Sequence, residues 1–139
     1  MYTLTLVFDK ELSHVLMCFH EKFNKYNFIG SKVEYMELDS DASYRELYEE
    51  TGIEPDKIDL KFVELETTTS SAKGLGLWSM YITAGILNED VELKPEKNSL
   101  TWVDINDTQF FLNAFGQGNC YTYLRRALYV LTGDARYLE

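Results

Sequence analysis

The chain contains little cysteine, few basic residues and no long apolar run. Its two cysteines, Cys18 and Cys120, are too few for a disulfide framework or a structural zinc site. We therefore expect two reduced, buried thiols. No apolar stretch approaches the ~18 residues that a membrane-spanning helix requires, and the amino terminus alternates polar and apolar residues without the basic region of a signal peptide. These absences argue against a membrane role and predict a cytoplasmic protein.

The scarcity of positive charge restricts the partners. Lys and Arg number 13 against 23 Asp and Glu, so the formal net charge is −10. Non-specific binding to nucleic acid depends on a basic surface that displaces counterions, and the sequence has no basic run. We therefore expect no long nucleic acid as a partner. A small phosphorylated ligand is compatible with this charge if divalent cations lie between the two sets of anions.

The residues that are present predict one folded domain over residues 1–139. Apolar residues make up 45% and aromatic residues 14% of the chain, which is ample for a core. Hydrophobic periodicity predicts strands at 3–8, 14–20, 28–34, 58–62, 75–87 and 100–105. It predicts helices at 109–115 and 119–132, and a first helix that ends at residue 51. The first helix can be capped by Asp39 or Ser40 and ends before Gly52. This order of elements is typical of an α/β or α+β sandwich with a mixed sheet.

The helix that ends before Gly52 carries three glutamates on one side. At about 100° per residue, Glu49 lies about 60° to one side of Glu46 and Glu50 about 40° to the other. Like charges at these spacings repel one another by roughly 0.2–0.5 kcal/mol per pair. A divalent cation such as Mg²⁺, which prefers oxygen ligands, would offset that repulsion. The predicted apolar face lies opposite the glutamates, at Tyr44, Leu47 and Tyr48.

The stretch GSKVEYMELDSDASYRELYEETGI, residues 30–53, places its charged residues at specific intervals. From residue 31 to Ile53 it matches eight of the nine specified positions of G-x5-E-x7-R-E-U-x-E-E-x-G-U, where U is aliphatic. That pattern is the signature of the Nudix hydrolases, and the chain resembles this family, in particular its MutT-like members. The resemblance implies an α/β/α sandwich with a mixed sheet. It also implies Mg²⁺-dependent hydrolysis of a diphosphate bond in a nucleoside diphosphate derivative, with Mn²⁺ able to substitute.

The same resemblance implies a role for each charged residue of the box. Glu49 and Glu50 would be the principal metal ligands, and Glu46 would be a further ligand or the base that orients the attacking water. Arg45 would orient the acids, and Glu37 would hold Arg45 in place. The alternative from the residues alone is a solvated acidic helix in which Arg45 makes an ordinary surface ion pair.

Further metal ligands are predicted outside this helix. Glu34 follows the preceding strand, and Glu96 in KPEKNSLTW is our candidate for the loop carboxylate that family members often recruit, with Glu92 second. The alternative for the loop acids is an exposed charge. Ser31 stands where the family has a glycine whose carbonyl approaches a metal. Because serine at positive φ would cost on the order of 1 kcal/mol, we expect Ser31→Gly to maintain or raise activity.

Four residues outside the acid cluster are candidates for substrate contacts. Asn27 lies three residues before Gly30, where some relatives read an oxidised purine base with an asparagine, and its amide can pair with a purine edge. Tyr26 and Trp78 are candidates for stacking on a base, and Lys32 for meeting phosphates. The alternatives are a turn-forming asparagine, core aromatics and a solvated lysine.

The leading functional prediction is hydrolysis of a nucleoside triphosphate, normal or oxidised, to a monophosphate and pyrophosphate. The main rival is a nucleotide-binding or sensing module with little hydrolysis, which the serine at position 31 favours. A third hypothesis is an acidic interaction domain without a ligand. The sequence is also compatible with a homodimer.

Overall fold

The strands of the chain form one mixed sheet in the computed structural model. The structure describes residues 1–71 and 74–139, and it describes side chains for those that lie outside 68–78. The strands are β1 (Tyr2–Phe8), β2 (His14–His20), β3 (Lys25–Asn27), β4 (Lys61–Ser71), β5 (Gly74–Ile86) and β6 (Leu100–Asp104). The helices are α1 (Asp39–Thr51), α2 (Thr108–Asn113) and α3 (Asn119–Thr132), and short 3₁₀ turns lie at Pro55–Lys57 and Ala135–Leu138. The predicted strand at 75–87 and helix at 119–132 are thus confirmed.

Parallel and antiparallel pairs both occur in the sheet. β1 runs parallel to β5, from Tyr2 opposite Met80 to Phe8 opposite Ile86. β5 pairs antiparallel with β4, and β2 pairs antiparallel with β3 and β6. β2 meets β1 only at Val15, which lies opposite Phe8. The prediction of a mixed sheet is therefore confirmed.

The strand predicted at 28–34 is wrong. β3 ends at Asn27, and the chain then touches β1 only through isolated bridges from Ile29 to Thr5 and from Lys32 to Tyr2. The segment leaves the sheet here because it must turn towards α1. Phe28 and Ile29 nevertheless remain buried, which explains why the sequence pattern resembles that of a strand.

Helices cover the two faces of the sheet. Leu4, Leu6 and Phe8 of β1 point to the face that packs on α3, whose buried residues are Cys120, Tyr123, Leu124, Ala127 and Leu128. Val7 points to the other face, where Leu47 of α1 packs. This arrangement confirms the predicted α/β/α sandwich.

α1 differs from its predicted form in its cap and in its buried face. Leu38 occupies the N-cap position without a side-chain hydrogen bond, so neither Asp39 nor Ser40 is the cap. Gly52 ends the helix with φ 79°, as predicted. Leu47 is buried, but Tyr48 is 53% exposed and Glu46 only 7% exposed. The helix is therefore rotated so that one of the three glutamates belongs to its packed face.

The two cysteines are free and buried, as predicted. Burial raises the pKa of the Cys18 thiol to about 11 and that of Cys120 to about 12, so both stay protonated at neutral pH. Among the described residues, no helix has both the length and the apolar character needed to cross a membrane. The cytoplasmic location and the single domain over 1–139 stay predictions.

Candidate active site

Arg45 is the centre of the charged cluster on α1. Its guanidinium donates two hydrogen bonds to Glu37, from Nε to Oε2 at 2.6 Å and from Nη2 to Oε1 at 2.9 Å. Its Nη1 donates to Glu46 Oε1 at 2.6 Å and to Glu49 Oε2 at 3.1 Å. Hydrogen bonding to Glu37 raises the pKa of Arg45, and the same contact lowers the pKa of Glu37. One guanidinium thus holds three carboxylates through four hydrogen bonds, which its five donors can supply and the three donors of an ammonium group cannot.

The turn before α1 brings Glu37 to Arg45. Glu37 N–H donates to the Glu34 carbonyl at 3.1 Å, and Glu34 N–H donates to Glu37 Oε1 at 3.1 Å. Met36, within this turn, has φ 68°, a left-handed conformation that a residue with a Cβ rarely adopts. The carboxylate of Glu34 lies 3.6 Å from Arg45 Nη1, and the side chain is 69% exposed. Glu34 is therefore at the outer edge of the cluster.

Glu50 is the acid of the cluster whose buried negative charge is not offset by a positive side chain in the described part of the chain. Its Oε2 atom is buried and has no hydrogen-bond partner among the described residues. Burial, followed by the charge of Glu46, raises the pKa of Glu50 to about 7, while the Gly30 N–H that donates to it acts in the opposite direction. Burial also raises the pKa of Glu46, against the attraction of Arg45. A buried carboxylate with an open oxygen is a site where a cation would be stabilising.

The residue that needs to be glycine is Gly30 rather than residue 31. A Cβ on Gly30 would lie 2.1 Å from the Thr3 carbonyl oxygen. Ser31 is not among the described residues with positive φ, so the strain expected there is absent. Its hydroxyl hydrogen-bonds Glu46 and lowers the pKa of that carboxyl. Ser31→Gly would remove this bond without relieving strain, so the expectation of unchanged or raised activity loses its physical basis.

The carbonyl of Ser31 already has hydrogen-bond donors. It accepts from Thr3 N–H at 2.7 Å and from Thr3 Oγ1 at 3.3 Å, and Ile29 O accepts from Thr5 N–H at 2.6 Å. A carbonyl oxygen has two lone pairs, so that of Ser31 has little remaining capacity for a cation. Successive carbonyls of an extended chain alternate, so that of Gly30 points away from β1, to the side on which the Gly30 N–H donates to Glu50.

A loop that we call the strap, residues 88–99, carries Glu96 to the cluster. Two strap amides donate to the last turn of α1, Lys94 N–H to Thr51 O at 2.7 Å and Glu96 N–H to Glu50 O at 3.4 Å. The charge of Glu96 contributes to the raised pKa of Glu50. The structure therefore brings Glu96, our candidate from the sequence, next to the box. Glu92 is exposed, and no contact of the described residues links it to Glu50.

A small cavity lies between the strap and β2. It measures about 20 Å³ and is lined by Cys18, Glu50, Glu96, Lys97, Asn98 and Leu100. This is room for one water molecule or ion. The Asn98 side chain hydrogen-bonds the Cys18 thiol. Neither Cys18 nor Asn98 was predicted here, because no local pattern shows that β2 passes beneath the end of α1.

The candidates for substrate contacts are dispersed. Asn27 Oδ1 accepts from Phe28 N–H at 2.8 Å and lies 3.5 Å from Cys120 Sγ, so it faces α3. Tyr26 packs between Phe19 and Phe110, and its ring centroid lies 5.0 Å from each of theirs. This packing favours the alternative of a core aromatic residue over stacking on a base. Lys32 is exposed, and its carbonyl accepts from Arg45 at 3.3 Å. The side chain of Trp78 lies outside the described residues.

The donor set suits a hard divalent cation, although its present arrangement is held by Arg45. Carboxylates gathered around an open oxygen of Glu50 are the ligands that Mg²⁺ prefers. Within the described residues, however, no three acidic, histidine or cysteine side chains already converge on one point in a ligand geometry. The reason is visible at Arg45 Nη1, which turns Glu46 and Glu49 towards itself. Cation binding would therefore draw these two side chains partly away from the guanidinium.

The comparison with protein families decides the family of this chain. The model of the NUDIX domain matches residues 3–124. The chain belongs to the Nudix family. The family recognised from the spacing of the acids is thus confirmed, and the protein is a member of a family of hydrolases that act on acid anhydrides. No curated protein sequence matches the chain.

Solved structures share the Nudix fold of this chain at low sequence identity. The Escherichia coli dihydroneopterin triphosphate pyrophosphohydrolase is 14% identical with a TM-score of 0.76, over 91% of this chain and 94% of that chain. A Caenorhabditis elegans Ap4A hydrolase is 18% identical with a TM-score of 0.73, over 96% and 100%. The NUDIX domain of Shewanella oneidensis NrtR, complexed with ADP ribose, is 15% identical with a TM-score of 0.72, over 94% and 87%. At these identities the likeness establishes the fold alone.

Proposed function

We propose that this Nudix protein is a Mg²⁺-dependent hydrolase that cleaves the diphosphate bond of a nucleoside diphosphate derivative, with Mn²⁺ able to substitute. The observation that carries the proposal is the buried, unpartnered oxygen of Glu50 among Glu46, Glu49 and Glu96. Such a site stores electrostatic repulsion in the absence of a cation, so it favours cation binding over a purely structural role.

We assign the residue roles as follows. Glu50 and Glu49 hold the cation, and Glu96 completes the set from the strap. Glu46 is a further ligand or the base that orients the attacking water, because it is buried next to Glu50 and has a raised pKa. Arg45 is a positioning residue, since it holds the carboxylates of Glu46 and Glu49.

The remaining predicted ligands lie at the edge of this set. Of the backbone groups, we favour the carbonyl of Gly30 over that of Ser31, because Thr3 donates twice to the latter. Glu34 is retained as an outer ligand only. When bound, the divalent cation would polarise the phosphoryl group and offset its negative charge.

The proposed substrate is a small nucleotide, and within that class a nucleoside triphosphate cleaved to a monophosphate and pyrophosphate. A triphosphate is what the similar E. coli pyrophosphohydrolase is named for. The Ap4A hydrolase and the ADP-ribose complex extend the candidates to dinucleoside polyphosphates and nucleotide sugars. The net charge of −10 supports a small anion bound through cations rather than a long nucleic acid.

The test is release of phosphate or pyrophosphate from a panel of nucleoside triphosphates, dinucleoside polyphosphates, nucleotide sugars and dinucleotide cofactors. The panel is run with Mg²⁺ and then with Mn²⁺, and the Glu50→Gln protein is the control. We expect turnover of at least one class in the wild type, reduced by orders of magnitude in the control. Equal turnover in both proteins would remove Glu50 from the site.

The second candidate function is nucleotide binding without efficient hydrolysis. The observation that favours it is the engagement of Glu46 and Glu49 by Arg45, which competes with a cation for the same oxygens. Tight binding of a nucleotide in calorimetry, with no product from any member of the panel, would establish this function in place of hydrolysis.

A further inference from the structure

We propose that a groove beside the start of β2 and the end of β6 binds a small planar aromatic cation. The groove has a volume of about 410 Å³, within the range of small-molecule sites. It lies between the turn that joins β1 to β2 and the start of the strap, and Trp102 of β6 lines it. This proposal does not depend on the proposed hydrolysis, because it uses none of the residues of the acid cluster.

The apolar part of the groove suits a flat ring. Trp102 is half-buried and packs on the α1 face of the sheet, where it lies opposite Leu16 of β2. Leu87 and Val91 line the groove beside it, and Leu87 is only 3% exposed. An indole flanked by aliphatic side chains offers a surface on which an aromatic ring can stack.

The charged residues around the groove favour a ligand of positive charge. Asp9, Glu11 and Asp90 line it. The groups that can be positive are Lys10, which lies 3.9 Å from Asp90, and His14, whose Nδ1 lies 3.4 Å from Asp9 Oδ2. Asp9 is held in place, because its carboxylate accepts from Ser13 N–H at 2.7 Å and from the neighbouring His14 N–H at 2.9 Å. The surplus of negative charge repels phosphates and attracts cations, and indole is the best side chain for a cation–π contact.

The groove is separated from the acid cluster. Trp102 lies two residues beyond Leu100, which lines the small cavity at Glu50, and this spacing is about 7 Å along a strand. Different parts of the strap line the two, since Val91 lines the groove and Glu96 lines the cavity. A ligand in the groove therefore touches the strap without occupying the cavity at Glu50.

The test uses three ligands that share one ring and differ in charge: 1-methylnicotinamide (cationic), nicotinamide (neutral) and nicotinate (anionic). The chain has two tryptophans, so Trp78→Phe leaves the fluorescence of Trp102 as the reporter. We expect quenching that saturates at the lowest concentration with the cation and at the highest with the anion. In calorimetry, Trp102→Leu should weaken binding of the cation by roughly 3- to 30-fold.

Charge variants keep the proposal testable if Trp102→Leu unfolds. Glu11 and Asp90 are exposed, so Glu11→Lys with Asp90→Lys should fold and should reverse the order of the three ligands. Glu21→Lys, an exposed change at the opposite end of β2, is the control and should leave the order as in the wild type. Equal affinity for all three ligands, or an order unchanged in the double variant, would overturn the proposal. So would the absence of Trp102 quenching by the cation at millimolar concentration.

Discussion

Replacing Glu50 with glutamine should stabilise the metal-free protein at pH 8. The structure places one oxygen of Glu50 in a buried position without a partner, next to Glu46 and Glu96. Glutamine has nearly the same shape. It retains an acceptor for the Gly30 N–H, and its amide adds a donor that the neighbouring carboxylates can accept. The substitution thus removes an uncompensated buried charge without creating a cavity.

The magnitude and its pH dependence follow from the pKa of Glu50. In the folded state it is raised from 4.5 to about 7, so the native state holds a proton that the unfolded chain has lost. The stabilising contribution of protonation is complete below pH 4.5 and is lost as the pH rises through 7. A shift of about 2.5 units corresponds to about 3 kcal/mol. We expect Glu50→Gln to gain up to about 3 kcal/mol over the wild type at pH 8, and less than about 1 kcal/mol at pH 5.

The assay is urea unfolding with EDTA present, at both pH values, with Glu92→Gln as the matched control. Glu92 is an exposed acid of the strap, so its neutralisation should change the free energy of unfolding by less than about 0.5 kcal/mol. The reasoning is refuted if Glu50→Gln is no more stable than the wild type at pH 8, or if its gain is the same at pH 5. Addition of Mg²⁺ at pH 8 should stabilise the wild type and have little effect on the variant.

Three further predictions concern the residues around the acid cluster. Gly30→Ala should lower the free energy of unfolding by more than about 2 kcal/mol, since its Cβ would lie 2.1 Å from the Thr3 carbonyl oxygen; a normal urea midpoint would contradict this. Met36→Gly should raise the same free energy by up to about 1 kcal/mol, because Met36 has φ 68°; a lower midpoint would show that the methionine side chain has contacts that outweigh the strain. Arg45→Lys should destabilise the protein by about 1–3 kcal/mol at pH 8, because an ammonium has three donors and cannot make the four hydrogen bonds that the guanidinium donates to the carboxylates. Arg126→Lys is the control, because Arg126 is an exposed arginine that pairs with Glu64 and Glu66. In thermal melts, Arg45→Lys should unfold at a clearly lower temperature than Arg126→Lys.

The spacing of the acids was sufficient to predict the family and the mixed sheet. Glu37 and Arg45 are eight residues apart, and a turn followed by the first turns of a helix brings them together at 2.6 Å. Gly52 ends that helix because it adopts φ 79°, which the sequence also indicated. These relations are local, so the order of residues alone constrains them.

The errors occurred where packing rather than periodicity decides. Tyr48 was predicted to be buried with Leu47, yet Tyr48 is exposed and Glu46 is buried. Arg45 makes this burial tolerable, because it donates to Glu46 at 2.6 Å. A hydrophobic pattern treats every glutamate as a surface residue. It does not show that an ion pair can compensate the charge of a buried glutamate.

The sequence by itself identified three candidates for holding a cation, since Glu46, Glu49 and Glu50 lie on one helix and keep their spacing whatever the rest of the chain does. Only the tertiary structure decided which of these acids is buried and unpartnered. It also brought Glu96, forty-six residues after Glu50, to the same site through the strap, and it showed that Gly30 rather than residue 31 requires the absence of a Cβ. The physical reason is that burial and long-range contacts depend on the neighbouring strands, which no local spacing encodes.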